Sequence, residues 1–122
     1  MMRKLSKSSL LFSMAMLLVA CGTHQKSMYY WKDYNNAVYN YLKNDNTSLG
    51  EQINQMKSYF DNAQKEQYAV APGAHAHMGL LLIKTEQFNE ARQQFLEEKK
   101  LFPESSSYID FLMKNKANGD KK

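Results

Sequence analysis

The sequence has few of the features that small secreted domains and enzymes normally use. It contains one cysteine, so no disulfide can form within the chain and packing alone has to hold the fold. It has no glycine-rich phosphate loop and no nucleophile motif. It also lacks an apolar run of the roughly 20 residues that a membrane-spanning helix requires. We therefore expect a protein that is not an enzyme and has no cofactor or small-molecule substrate.

Two histidines give the nearest approach to a metal motif. His75 and His77 are two residues apart, so on a helix their side chains point about 200° away from each other. A zinc site also needs third and fourth ligands at suitable spacing, and the sequence offers none. We therefore predict no metal site, and surface or packed histidines instead.

The N-terminus has the pattern of a secretory signal. Basic residues precede an apolar run from Leu10 to Ala20, which is too short to span a membrane and ends in a small residue. The segment Leu18-Val19-Ala20-Cys21 resembles the lipobox of bacterial lipoproteins. That resemblance implies cleavage before Cys21, acylation of its thiol and a membrane anchor. The alternative, a plain signal, leaves an unpaired reactive thiol in an oxidising compartment.

The lipobox resemblance also implies a location and a division of the chain. Gly22 stands where aspartate would favour retention in the inner membrane, which implies the periplasmic face of the outer membrane. After removal of the signal, 13 basic residues remain against 12 acidic ones, so no excess of positive charge supports nucleic-acid binding. The predicted parts are a signal peptide over 1–20, a lipidated tether over 21–29, a helical domain over 30–115 and a disordered tail over 116–122.

Apolar residues recur at helical spacing through the rest of the chain, which predicts an all-α fold of about five helices. Ser48 and Glu51 form a capping box, and Pro103 ends a helix. The predicted helices cover about 30–44, 48–67, 74–85 and 88–101, with a short last one after Ser105. The first helix has an alternative start near Asp33, with that side chain as its cap. The residues expected to face inward include Leu49, Ile53, Met56, Phe60 and Ala63 in the second helix and Tyr108, Phe111 and Leu112 in the last.

The segment from Pro72 to Pro103 resembles a tetratricopeptide repeat, with large and small residues alternating where two helices cross. The small positions are Gly79 and Ala91, and the large ones are Phe88 and Phe95. We interpret Gly79 as the site of close approach by a neighbouring helix backbone. The polar Glu98, where the repeat has alanine, predicts a terminal repeat with one face in water. The resemblance implies groove positions at Gly73, Ala76, Leu80, Ile83 and Lys84. The apolar residues among them either bind a partner or pack on the long second helix, and the shortness of the chain favours packing. A generic helical hairpin bundle is the alternative.

An aromatic cluster over 29–41 is the other candidate site. On a helix, Tyr30, Tyr34 and Tyr41 share one face and are predicted to be core, whereas Trp31 lies near that face and Tyr39 well off it. Tyrosine and tryptophan suit both protein interfaces and membrane surfaces. Core packing, partner binding and headgroup contact therefore stay open for this cluster. The candidate partner-binding residues are Trp31, Tyr39, Leu80 and Ile83.

The mature chain also resembles a family of small bacterial lipoproteins that carry domain of unknown function 4810. The residues that carry this resemblance are the lipobox, the aromatic segment Tyr29–Lys43, and Pro72-Gly73 with the repeat that follows. The resemblance implies an envelope lipoprotein that shares an assembly with a lipoprotein like the curli secretion channel. We therefore expect a protein-interaction module of an envelope complex. The alternatives are a structural lipoprotein without a specific partner and an envelope hydrolase.

Overall fold

A computed structural model describes residues 26–43 and 47–116. Five α-helices make up most of this part, which confirms the predicted all-α class; the tetratricopeptide-like arrangement stays a prediction. The predicted signal peptide, Cys21 and the end of the predicted tail lie outside the described residues. The elements are β1 (Tyr29–Tyr30), α1 (Tyr34–Lys43), α2 (Leu49–Lys65), β2 (Ala69–Val70), α3 (Ala74–Lys84), α4 (Phe88–Leu101), a 3-10 turn (Pro103–Ser105) and α5 (Ser106–Lys116).

The ends of the helices follow from local backbone chemistry. Ser48 caps α2 by accepting the Glu51 backbone N–H, as the capping box predicts. Helix α2 ends at a left-handed residue, Gln67, after which Tyr68 donates its N–H back to the Ala63 carbonyl. Helix α3 ends in the same way at Glu86. These are C-terminal caps of the kind that usually carry glycine.

Helix α1 begins at Tyr34, which agrees with the alternative start near Asp33 and not with a start at residue 30. Tyr29 and Tyr30 instead form a short strand that pairs in parallel with Ala69 and Val70, although the sequence shows no strand period. Asp33 then has a left-handed backbone, with φ of 63°, and its carbonyl accepts the first helical hydrogen bond of α1 from Ala37. The start of the fold is therefore an extended segment fixed to the loop after α2.

The Tyr59 side chain holds this strand pair together from α2. Its hydroxyl donates to the Tyr30 carbonyl at 2.8 Å and accepts the Ala71 N–H at 2.7 Å. Tyr59 is 1 % exposed, whereas Phe60, the predicted inward residue, is only partly buried. Ile53, Met56 and Ala63 are buried as predicted, so the difference is confined to one position, where Tyr59 rather than Phe60 is fully buried and its hydroxyl joins the strand pair.

Removing that hydroxyl should weaken the fold without disturbing its packing. We expect Tyr59→Phe to lower the free energy of unfolding by about 2 kcal/mol, since it leaves a buried N–H and a buried carbonyl without a partner. Urea unfolding of the purified protein measures this. The matched control is Tyr39→Phe, at an exposed residue, where a change within about 0.5 kcal/mol is expected. Equal stabilities of the two variants would contradict this role for Tyr59.

Helices α3 and α4 cross at Gly79, and the close neighbour there is a ring rather than the predicted helix backbone. A Cβ atom at Gly79 would lie 2.5 Å from the Phe95 ring. Phe95 is 1 % exposed, so the ring that a larger residue would displace belongs to the packed interior. The glycine, unfavourable in a helix interior, is explained by this contact.

Glu98 contradicts the prediction of a water-facing end of the repeat. Its side chain is 2 % exposed, and its carboxylate accepts the backbone N–H groups of Gly73 at 2.6 Å and Ala76 at 3.3 Å. The first turn of a helix has N–H groups without partners inside the helix and favours negative charge. Glu98 on α4 therefore caps α3 from outside that helix.

Helix α5 packs by a different face from the predicted one. Ile109 and Leu112 are buried, whereas Tyr108 and Phe111 are 55 % and 60 % exposed. The prediction was correct for Leu112 and wrong for the two aromatic residues. The helix reaches Lys116, one residue past the predicted domain boundary, and leaves exposed aromatic rings on its outer side.

Candidate functional site

An open groove runs along α3 between α1 and α5. It has a volume of about 250 Å³, and no charged side chain lines it. Cores of protein interfaces are likewise poor in charge and rich in aromatic residues. The residues that line the groove are Tyr34, Val38, Tyr41 and Leu42 from α1, Gly73, Ala76, His77 and Leu80 from α3 and the turn before it, and Tyr108 from α5.

One end of the groove depends on a glycine. Gly73 has φ of 90°, and a Cβ atom there would lie 3.1 Å from the Tyr34 hydroxyl. Any other residue would be strained and would push Tyr34 out of position. Burial, followed by the charge of Glu98, raises the pKa of Tyr34 to about 12, so its phenol stays neutral. This end of the groove is therefore shaped by an uncharged ring held close to the start of α3.

His77 lies beneath the middle of the groove. It is 7 % exposed, its ring centroid is 4.9 Å from that of Tyr41, and neither ring nitrogen has a hydrogen-bond partner among the described residues. Burial, with a smaller effect of the Lys84 charge, lowers the pKa of His77 to about 4. The imidazole is therefore neutral at physiological pH and adds no charge to the apolar floor.

The groove is bordered by exposed apolar side chains and by a cation. Leu42 is 73 % exposed and Tyr108 is 55 % exposed. The Lys84 ammonium lies 4.4 Å from the centre of the Tyr41 ring, which places a positive charge beside the groove at the C-terminal ends of α1 and α3. The groove thus has an apolar floor and an exposed apolar rim.

The structure separates the candidate residues from one another. Leu80 lines the groove, together with Gly73 and Ala76 from the predicted groove positions. Trp31, 43 % exposed, lies beside one end of the groove with its ring 6.3 Å from that of Tyr34. Tyr39 does not line the groove and is 59 % exposed. Of the residues predicted from the lipobox, Cys21 lies outside the described residues.

Ile83 belongs to a second cleft, of about 500 Å³, where α4 and α5 meet the end of α3. Charged residues contribute much of its lining, and the Asp110 carboxylate is 2.6 Å from the Lys99 ammonium. Cores of protein interfaces are depleted in charged residues, so this lining is less typical of an interface core. We therefore take the uncharged groove along α3 as the better candidate site. The charged residues of the cleft are Arg92, Asp110 and Lys114.

The other features that bear on function concern metals and membranes. His75 stacks on Phe60 at 4.6 Å and shares a hydrogen bond with the Gln94 side chain at 2.7 Å. Within 26–43 and 47–116, no three histidine, cysteine or acidic side chains lie close enough together to hold a metal ion. In the same ranges no helix is both long enough and apolar enough to cross a bilayer.

Comparison with known proteins gives one match. The family model described as a domain of unknown function (DUF4810) matches residues 28–112, which include all the elements from β1 through most of α5. No curated protein and no solved structure matches the chain. Because the matched segment is more than half of the chain, the protein belongs to the DUF4810 family.

Proposed function

We propose that this protein is a lipid-anchored, non-enzymatic adaptor at the periplasmic face of the outer membrane. Acyl chains on Cys21 hold it there, and the groove along α3 binds an apolar segment of another envelope protein. One acyl chain gives only marginal attachment, whereas the two or three carried by a bacterial lipoprotein make attachment stable. The described helices supply a rigid surface for the partner.

The observation that carries the proposal is the uncharged groove with its exposed apolar rim. Its walls contain three tyrosines. Beside it, Leu42 exposes most of its surface and Tyr108 about half. Contiguous exposed apolar surface of this kind marks interaction sites in soluble domains. Tyrosine is also among the residues that carry most of the binding energy at protein interfaces.

The family resemblance supports a more specific partner, a lipoprotein like the curli secretion channel. A structural lipoprotein without a specific partner is the alternative, and it leaves the exposed rim without a role. A hydrolase would need paired carboxylates or an activated nucleophile, and the lining of the groove contains neither. The adaptor therefore accounts for more of the surface than either alternative.

A charge placed in the groove tests this function. We expect Leu80→Glu to reduce co-purification of the envelope partner at least about tenfold, because a carboxylate buried against an apolar segment is costly. Cells expressing the variant are crosslinked, the envelopes are solubilised in detergent, and the captured proteins are quantified by mass spectrometry. The matched control is Leu96→Glu, on the exposed side of α4. Equal capture by both variants would exclude the groove as the binding site.

A further inference from the structure

The point where the chain enters the fold is rigid and exposed. We define the tether end as residues 26–32. Within it, Tyr29 and Tyr30 pair with β2, and the Tyr30 carbonyl accepts the Tyr59 hydroxyl. The Lys26 ammonium lies 4.7 Å from the centre of the Tyr68 ring. The tether end therefore has a fixed place on the surface of the domain.

Apolar side chains are exposed at this same place. Met28 is 74 % exposed and Trp31 is 43 % exposed. The rings of Tyr29 and Trp31 meet edge to face at 6.2 Å, and Tyr29 also contacts Phe102, so the indole is held in a fixed orientation. Tryptophan supported in this way has an apolar body and a polar N–H, which suits the boundary between lipid and water.

The length of chain before the tether end limits how far it can lie from the membrane. This step rests on the proposed acylation of Cys21. Five residue steps separate Cys21 from Lys26, which gives a reach of at most about 18 Å. A tether this short gives an effective concentration on the order of millimolar. Even a weak affinity for lipid then suffices to bring the tether end to the bilayer.

We propose that the tether end rests on the phospholipid surface, with Met28 and Trp31 in the headgroup layer. The net charge there is small, since the Lys32 ammonium is 2.9 Å from the Glu66 carboxylate and the Lys26 ammonium lies over the Tyr68 ring. Apolar insertion drives the contact, so zwitterionic lipid suffices. Because Trp31 contacts Tyr34 at the start of α1, the groove begins near the membrane and runs away from it toward Leu42.

Two features of the sequence make this directly measurable. Trp31 is the only tryptophan and Cys21 the only cysteine. The chain from Cys21 onward is coupled through that thiol to a maleimide lipid in phosphatidylcholine vesicles. We expect an emission shift of Trp31 to shorter wavelength, about twofold quenching by brominated phosphatidylcholine and protection from iodide. Because the anchor is attached chemically, the result does not depend on whether cells acylate Cys21, which palmitate labelling tests separately.

The matched control moves the reporter and keeps the tether. In a chain with Trp31→Phe and Tyr39→Trp, the sole indole lies on α1 outside the groove, and it should stay accessible to iodide and unquenched by the brominated lipid. Quenching at both positions would overturn the proposal, because the domain would then have no preferred face toward the bilayer. An unquenched Trp31 would also overturn the proposal. The exposed apolar side chains of the tether end would then be assigned to contact with a protein.

Discussion

Replacing Glu98 with alanine is expected to lower the free energy of unfolding by about 4 kcal/mol, the largest effect of any side chain outside the apolar core. The buried carboxylate accepts two N–H groups in the first turn of α3. A hydrogen bond to a charged group contributes about 1.5–3 kcal/mol, and each N–H left without a partner adds a cost. Helix α3 forms one side of the groove. Loss of the cap at its start should therefore disturb the groove as well.

Urea unfolding, followed by circular dichroism, measures this effect. The matched control is Glu97→Ala, at the preceding residue on the same helix, whose carboxylate makes only an exposed pair with Lys100 at 3.3 Å. We expect a change within about 0.5 kcal/mol for the control, since exposed ion pairs contribute little. A Glu98→Ala variant as stable as Glu97→Ala would show that the carboxylate does not cap α3.

His77 should make the stability of the protein depend on pH. Burial lowers the pKa of the folded imidazole to about 4, from an ordinary value of 6.5. Below pH 6.5 the unfolded chain takes up a proton that the folded chain does not, so the unfolded state is favoured. Each pH unit costs about 1.4 kcal/mol. We expect the free energy of unfolding to fall by about 3 kcal/mol between pH 6.5 and 4. Above pH 6.5 the neutral His77 causes no loss of stability.

Two variants separate this effect from the titration of other groups. His77→Phe should lose the pH-dependent fall and be at least as stable as the original at pH 7, because it also removes two ring nitrogens that lack partners. His75→Phe keeps His77 in place and should keep the fall. Urea unfolding at half-unit steps of pH provides the data. An unchanged fall in His77→Phe would assign the effect to other groups.

The fold was predictable from the sequence where the signals are local. The Ser48 and Glu51 capping box and the turn at Glu86 place helix boundaries to within two residues. The strand pair was not predictable, because Tyr29 and Tyr30 pair with residues about forty positions away and the Tyr59 hydroxyl that bonds both segments comes from α2. The capping role of Glu98 was not predictable for the same reason, because its partners are N–H groups at the start of another helix.

Only part of the candidate site was predictable, for a similar reason. Leu80 could be assigned to a groove because its position within the repeat-like segment is local information. Leu42 and Tyr108 join it only because α1 and α5 lie on either side of α3. The helical period of α5 is consistent with more than one inward face, and packing selected the face with Ile109 and left Tyr108 exposed.

Photocrosslinking in cells from two positions on α1 tests the adaptor account most directly. Leu42 and Tyr39 are both exposed and lie on the same helix, but only Leu42 borders the groove. Each is replaced in turn by a photoreactive phenylalanine in the full chain. The account predicts one discrete adduct with an envelope protein from position 42, none from position 39, and loss of the adduct when Cys21→Ser removes the anchor. Equal adducts from both positions, or an adduct that survives without the anchor, would contradict it.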